Sequence, residues 1–216
     1  MKILLVAATE MEIRPLLEKL ATPGLSAPLQ LGNVELRFLV TGVGMVATAL
    51  SLGKHLSREI DFALNIGLAG SFHTGIELGE VVEVGEDRFS ELGAEDGDAF
   101  IPASGLGLRI EDAFVNPVYS YNKVLSALPR VSGITVNTVH GNEQSIETVM
   151  NRFHPYVESM EGAAFLMACQ SLKIPCAQVR AISNYVERRN KERWNIPLAL
   201  SRLNIKTLEI LNAFEK

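Results

Sequence analysis

Four short segments carry side chains able to do chemistry. Glu12 stands in Thr9-Glu10-Met11-Glu12, just past an apolar run. Asn65-Ile66-Gly67-Leu68-Ala69-Gly70-Ser71 ends a second apolar run in small residues. Ser159-Met160-Glu161-Gly162-Ala163-Ala164 puts a carboxylate beside a methionine at the head of a helical pattern. Nineteen residues beyond Glu161, Arg180-Ala181-Ile182-Ser183-Asn184 closes a third run with a cation, a hydroxyl and an amide. A carboxylate accepts two hydrogen bonds together, which suits the vicinal hydroxyls of a sugar, and an amide matches the edge of a heterocycle. The set points to a ligand built from a ribose and a purine.

Each residue also has a plainer reading. Thr9 and Glu12 fit a capping box, although Pro15 removes a backbone donor early in that helix; the alternative is a general base at a strand's exit. Glu161 suits a helix N-terminus for its dipole alone. Met160 and the Gly162-Ala163-Ala164 run suggest instead that backbone and ligand approach closely there. Arg180, in an apolar strand, needs an anionic partner if buried, and Glu161 is the candidate. Asn184 suits a strand terminus or turn, or an amide facing a base. The segment around Gly67, Ala69 and Gly70 reads as a turn, or as backbone N–H groups facing a ligand beyond the carboxyl ends of strands.

The elements that must position these groups follow from apolar patterning. Runs rich in Val, Ile and Leu at 3–8, 34–41, 62–67, 81–89, 134–139 and 176–183 predict strands, some buried on both faces. Helical patterns lie between them at 10–20, 43–56, 143–153, 161–172 and 197–214, the last three expected on the surface with one apolar stripe. Strands alternating with helices predict an α/β layered fold. The region 91–117, with Gly93, Gly97, Gly105 and Gly107 among acidic residues, predicts loops with a short strand near 108–110. One domain over 1–216 suits the length and a single large core.

Composition excludes several classes. A content of 47% apolar and 21% charged residues is that of a folded globule. A net charge of -5 argues against nucleic acid as a partner, which a basic patch would serve. No apolar run has the length of a membrane span. The first six residues predict a buried strand and not a leader. Cys169 and Cys176 are too few for a disulfide framework, so a reduced, cytoplasmic protein is expected. Thr41-Gly42-Val43-Gly44-Met45-Val46-Ala47 fits a dinucleotide fingerprint, but the acid that should end the next strand is missing; Asp61 sits at that strand's entrance. Those glycines read as a tight turn and close helix–sheet packing. Asp96-Gly97-Asp98 lacks the carboxylate that a calcium loop needs at its twelfth position, and His55, His73, His140 and His154 show no ligand spacing. No metal is expected.

Taken together, Glu12, Gly67–Ser71, Met160-Glu161 and Arg180–Asn184 resemble the nucleoside phosphorylase/nucleosidase superfamily, in the order found in 5′-methylthioadenosine/S-adenosylhomocysteine nucleosidases. The stretches Glu91-Leu92-Gly93-Ala94-Glu95-Asp96-Gly97-Asp98, Ser159 to Ala164 and Arg180 to Glu187 are similar more specifically to the futalosine hydrolase family. The resemblance implies a three-layer α/β/α sandwich around a mixed, partly barrel-like sheet. It implies hydrolysis of an N-ribosidic bond, removing hypoxanthine from futalosine in an alternative menaquinone pathway, with no cofactor, and a homodimer or larger homo-oligomer. It makes Glu12 the base that activates water, sets Glu161 on the ribose hydroxyls and Met160 against the sugar, and has Arg180 steady Glu161. Ser183 and Asn184 would meet the purine, with the Gly67–Gly70 backbone near the ring.

Two departures sharpen this. The related nucleosidases have an aspartic acid where this chain has Asn184. An amide has two N–H donors on one nitrogen, able to serve N7 and a 6-oxo group, so Asn184 permits hypoxanthine. Phosphorylases of the superfamily carry an arginine before the glycine segment to hold phosphate; here Asn65-Ile66 precedes Gly67, which favours water as nucleophile. An adenosine-type nucleosidase and a phosphate-dependent phosphorylase are the competing readings. For the 5′ substituent, Arg109 or the Arg188-Arg189 pair could meet an anion, and Phe89, Phe100 or Phe114 an aromatic ring.

Overall fold

The computed structural model describes residues 1–22, 24, 25, 27–107 and 110–214. Strand β1 (Lys2–Ala7) shows how the layers arise. Side chains on a strand alternate between faces. Ile3, Leu5 and Ala7 pack with Ile13 and Leu16 of helix α1 (Glu10–Lys19) and with Leu203 and Ile210 of α5 (Ile196–Ala213). Leu4 and Val6 pack on the other side with Leu52 of α2 (Met45–His55) and Phe165 and Cys169 of α4 (Gly162–Leu172). A strand buried on both faces has no polar alternation, and the run Ile3-Leu4-Leu5-Val6 has none. The expected α/β/α sandwich follows directly.

The sheet is mixed. Beside β1 lie β3 (Val34–Val40), parallel, with the edge strand β2 (Leu29–Leu31) beyond it, and on the other flank β4 (Phe62–Ser71), also parallel. Next to β4 comes β11 (Cys176–Tyr185), parallel, then β5 (Val81–Phe89), antiparallel to β11, and β9 (Arg130–Thr135), parallel to β5. β10 (Val157–Ser159) pairs with β9 on one side and returns to the end of β4 on the other. The strands β4, β11, β5, β9 and β10 therefore close on themselves as a small barrel.

Several sequence expectations change. β4 does not stop at Gly67 in a turn; it continues to Ser71, because its last residues pair with β10 to close the barrel. β9 begins at Arg130 and ends at Thr135, so the strand expected at 134–139 is displaced towards a more polar stretch that pairs with β5. The region 91–117 is more regular than predicted. Gly93–Asp96 and Ala99–Pro102 (β6 and β7) form a hairpin turned by Gly97, whose φ of 61° suits the first position of a two-residue loop, and Ala113–Val115 (β8) pairs with β5. Of the strand expected near 108–110, residues 108 and 109, with the candidate Arg109, lie outside the described residues, and Ile110 is not in a strand. α3 (Glu143–Phe153) matches its prediction, but α4 is no surface helix: its first five residues, Gly162 to Leu166, are all buried. No helix among the described residues is long and apolar enough to cross a membrane.

Candidate active site

The exit of β1 holds the first acid. Glu12 is buried in the first turn of α1. Its Oε2 accepts hydrogen bonds from the Thr9 backbone N–H at 2.8 Å and the Thr9 hydroxyl at 3.0 Å. Its Oε1 accepts from the Leu68 N–H at 3.2 Å, on β4. The two readings of Glu12 are thus compatible: one oxygen caps the helix and fixes the side chain, and the other is held at the end of β4. Pro15 leaves α1 short of a donor, and a side chain of α5 reinforces it there. Asn204 Oδ1 accepts the Leu16 N–H at 3.0 Å while its Nδ2 donates to the Glu12 carbonyl at 2.9 Å.

The second acid stands at the N-cap of α4. Glu161 Oε1 accepts from the Gly44 N–H at 2.9 Å and Oε2 from the Met160 N–H at 3.3 Å. The glycine turn that mimicked a dinucleotide fingerprint therefore holds a carboxylate, with Gly44 at φ 95° where a side chain would be strained. Asp61 lies at the far end of the sheet, on the Lys2 N–H. Burial pushes the Glu161 pKa above the usual carboxylate range, opposed first by the attraction of Arg180.

Arg180 is fully buried in β11, and its hydrogen bonds differ from the expected ones. Nη2 donates to Asn65 Oδ1 at 2.5 Å and Nη1 to the Val179 carbonyl at 3.5 Å, with no direct bond to Glu161. A low dielectric lets the charge act without contact. Burial lowers the Arg180 pKa, and Glu161, Glu12 and Asp87, in that order, oppose the shift. Gly67 is where this cation meets the first acid. A Cβ there would lie 2.9 Å from Arg180 Nη1 and 3.0 Å from Glu12 Oε1. Sequence reasoning placed Asn65 only as a missing arginine. Its amide in fact links Arg180 to the Val6 carbonyl.

On β11 the register shifts between Ile182 and Asn184, and both Asn184 and Gly70 lie on the cavity wall. Ser183 Oγ donates to Asn184 Oδ1 at 2.8 Å, and Asn184 Nδ2 donates to the Tyr185 carbonyl at 3.1 Å. One of the two expected N–H donors is therefore committed to the backbone and one is left for a ligand.

These groups meet in a cavity of about 460 Å³. Glu12, Ala69, Gly70, Met160, Glu161, Ser183 and Asn184 line it; Gly67 and Arg180 lie behind its wall. Glu158, Glu187, His140, Arg189 and Trp194 also line it, and sequence reasoning missed most of them. Of the expected tail-binding groups among the described residues, only Arg189 is on the wall, 5.2 Å from the Trp194 ring centroid. Arg188 lies on neighbouring surface, Phe114 is in the α2–α4 core, and the aromatics on the wall include Tyr185 and Trp194. No cluster of His, Cys, Asp and Glu among the described residues is arranged to hold a metal.

The small run after Glu161 serves a different purpose from the expected ligand approach. A Cβ on Gly162 would stand 2.1 Å from both Asp87 Oδ2 and Gln178 Oε1. Asp87 is buried under α4, with its oxygens bonded to Thr135 Oγ1 and Gln178 Nε2, each at 2.9 Å. Burial pushes its pKa up to about 6 from 3.8, against those two hydrogen bonds and the attraction of Arg180. Folding thus favours the protonated form. The associated stability, about 3 kcal/mol, is present below pH 4 and is lost as the pH rises towards 6. Asp87→Asn keeps the shape and, after rotation of the Gln178 amide, meets Gln178 Oε1, which now has no partner. Melting curves across pH 4–7.5 should show the descent flattened in the variant and a higher melting temperature at pH 7.5. Parallel curves for the two proteins would count against this account.

The chain matches the model of the phosphorylase superfamily over residues 2–214. It is 34% identical to the futalosine hydrolase of Thermus thermophilus over 77% of this chain and 76% of that one. It is 32% identical to the futalosine hydrolase of Acidothermus cellulolyticus, over 76% and 70%. Its fold superimposes on a solved 5′-methylthioadenosine/S-adenosylhomocysteine nucleosidase from Colwellia psychrerythraea, in complex with adenine, with a TM-score of 0.80, 24% identity and coverage of 99% and 95%.

Proposed function

Because the chain belongs to the phosphorylase superfamily, we propose that it is a purine nucleosidase that hydrolyses the N-ribosidic bond of a 6-oxopurine nucleoside. The substrate we infer is futalosine, split by water into hypoxanthine and dehypoxanthine futalosine, as a step of menaquinone biosynthesis in the cytoplasm. The observation that carries this reading is the convergence of Glu12, Glu161 and Asn184 on one cavity.

As the C1′–N9 bond stretches, positive charge grows on the sugar. Groups fixed in advance where charge develops stabilise a transition state more than a ground state. The cavity wall carries the carboxylates of Glu12, Glu158, Glu161 and Glu187 against the guanidinium of Arg189. That balance suits a cationic sugar and repels a phosphate dianion, so water is the nucleophile. Glu12 Oε1 takes a proton from the water. Glu161 accepts the 2′- and 3′-hydroxyls, and Met160 lies against the sugar. Arg180, behind the wall, favours the ionised form of Glu161. Ser183 orients the Asn184 amide, whose free N–H stabilises the negative charge arriving on the purine. An amide cannot transfer a proton as an acid does, so Asn184 assists departure by hydrogen bonding alone; the leaving purine takes its proton from solvent water, and the proton taken up by Glu12 returns to solvent. Arg189 and Trp194 suit the carboxylate and the aryl ring of the futalosine tail; a methylthio group needs no cation. Free hypoxanthine from futalosine in phosphate-free buffer is the expected product. Adenine from methylthioadenosine alone, or a strict need for phosphate, would replace this reading with one of its competitors.

We further propose that the chain works as a homodimer. Val43, Val46 and Leu50 are 56%, 75% and 60% exposed along and before α2, a concentration of apolar surface that a second copy would cover. Val43 also lines the cavity, so that copy would border the site. Sedimentation velocity should give a dimer for the wild type and a monomer for Val46→Arg. A monomeric wild type would remove the proposal.

A further inference from the structure

One buried acid on the cavity wall contributes only its charge to the reaction above and is assigned no contact with the substrate. Glu158, on β10, is 4% exposed. It faces Gly70 in the β10–β4 pairing, while Asn184 faces Gly70 from β11 on the other side. Directly paired residues of neighbouring strands project to the same side of a sheet. Gly70 lets the two approach a common point: a Cβ there would lie 3.0 Å from Val186 Cγ2, 3.1 Å from Asn184 Nδ2 and 3.6 Å from Glu158 Cγ. The amide that we assign to the purine thus has a buried carboxylate across the intervening strand β4.

That carboxylate is held in place. The His140 backbone N–H donates to Oε1 at 3.1 Å and Oε2 at 3.4 Å, and His140 Nδ1 lies 2.6 Å from Oε2. An ionised carboxylate has about four acceptor positions and no donor, so acceptor capacity remains. A 6-oxopurine carries a hydrogen on N1; a 6-aminopurine presents a lone pair there. We propose that Glu158 accepts the N1–H of the purine and is the residue that selects 6-oxo over 6-amino nucleosides, with His140 as its positioning residue. A donor-free acid opposite the lone pair of a 6-aminopurine leaves both groups unpaired, and sites built this way discriminate strongly. The inference rests on the purine nucleosidase reading and deepens it.

The test measures kcat/KM for futalosine and for its 6-amino counterpart, together with the Kd of free hypoxanthine and free adenine by calorimetry. The wild type should favour the 6-oxo member of each pair. Glu158→Gln places a donor at the site and should reduce that preference by about 10-fold to 100-fold, through loss with the 6-oxo and gain with the 6-amino compound. His140→Phe, which frees the carboxylate, should reduce it less. Equal losses on both substrates in a folded variant, with the base preference unchanged, would assign the pair a structural role only and overturn the inference. A wild type that cleaves neither nucleoside sinks the nucleosidase reading instead, and the ratio of the two base affinities still decides this one. If Glu158→Gln does not fold, the same ratios in His140→Phe decide the case: an unchanged ratio overturns it.

Discussion

Glu12→Gln should lower turnover of the nucleoside by about 10²-fold or more, the usual range for loss of a general base, with little loss of folding. The two effects separate because the side chain has two jobs. Glutamine serves at this position of a capping box as glutamate does, so it can still accept from the Thr9 N–H. It cannot accept from both Thr9 and Leu68 with its single oxygen, and the cost of one lost hydrogen bond is about 1 kcal/mol. The loss of a proton acceptor for water is about 3 kcal/mol in the barrier, the equivalent of 10²-fold. Single-turnover rates beside a thermal melt would show the difference. Wild-type turnover in Glu12→Gln would remove this residue from the chemistry and leave it as a cap, whatever its place on the cavity wall.

The same residue shows how far the sequence could be read. Glu12 was legible because strand exit, cap position and acid coincide within a few residues, and β1, α1 and the α/β/α layering follow from local apolar patterning. Glu161 and Asn184 were legible by type and by resemblance. What holds them was not, because it depends on which strands become neighbours. Nothing near Gly44 in the chain indicates that its N–H meets a carboxylate more than a hundred residues away. Gly67 to Ser71 read as a turn because small residues favour turns; only closure of the barrel by β10, a three-residue strand too short to show a period, makes them strand. Arg180 was expected to bond Glu161, yet β4 supplies Asn65 instead, and the attraction to the acids acts through space. Gly162 was expected near the ligand, but the partner that forbids a side chain is Asp87, buried under the helix. Glu158 and His140 lay in plain sight in the sequence. Neither has a motif, and their pairing depends on the meeting of β10 with the loop before α3.

Asn184→Ala should also lower turnover by about 10²-fold or more, and here the neighbours make the cause testable. The Asn184 Oδ1 is occupied by the Ser183 hydroxyl and one of its N–H groups by the Tyr185 carbonyl. The remaining N–H is the only donor the amide has left for the purine. If it acts mainly on the charge that arrives as the bond breaks, the loss appears in kcat while KM changes little, the signature of an interaction made in the transition state. If it acts equally on the bound nucleoside, KM rises and kcat is kept. Ser183→Ala leaves the amide in place but removes the hydroxyl that fixes its orientation, so a loss in the same parameter but smaller, about 10-fold, is expected. A large effect of Ser183→Ala with none for Asn184→Ala would reverse the assignment, making the hydroxyl the group that meets the base and the amide its support.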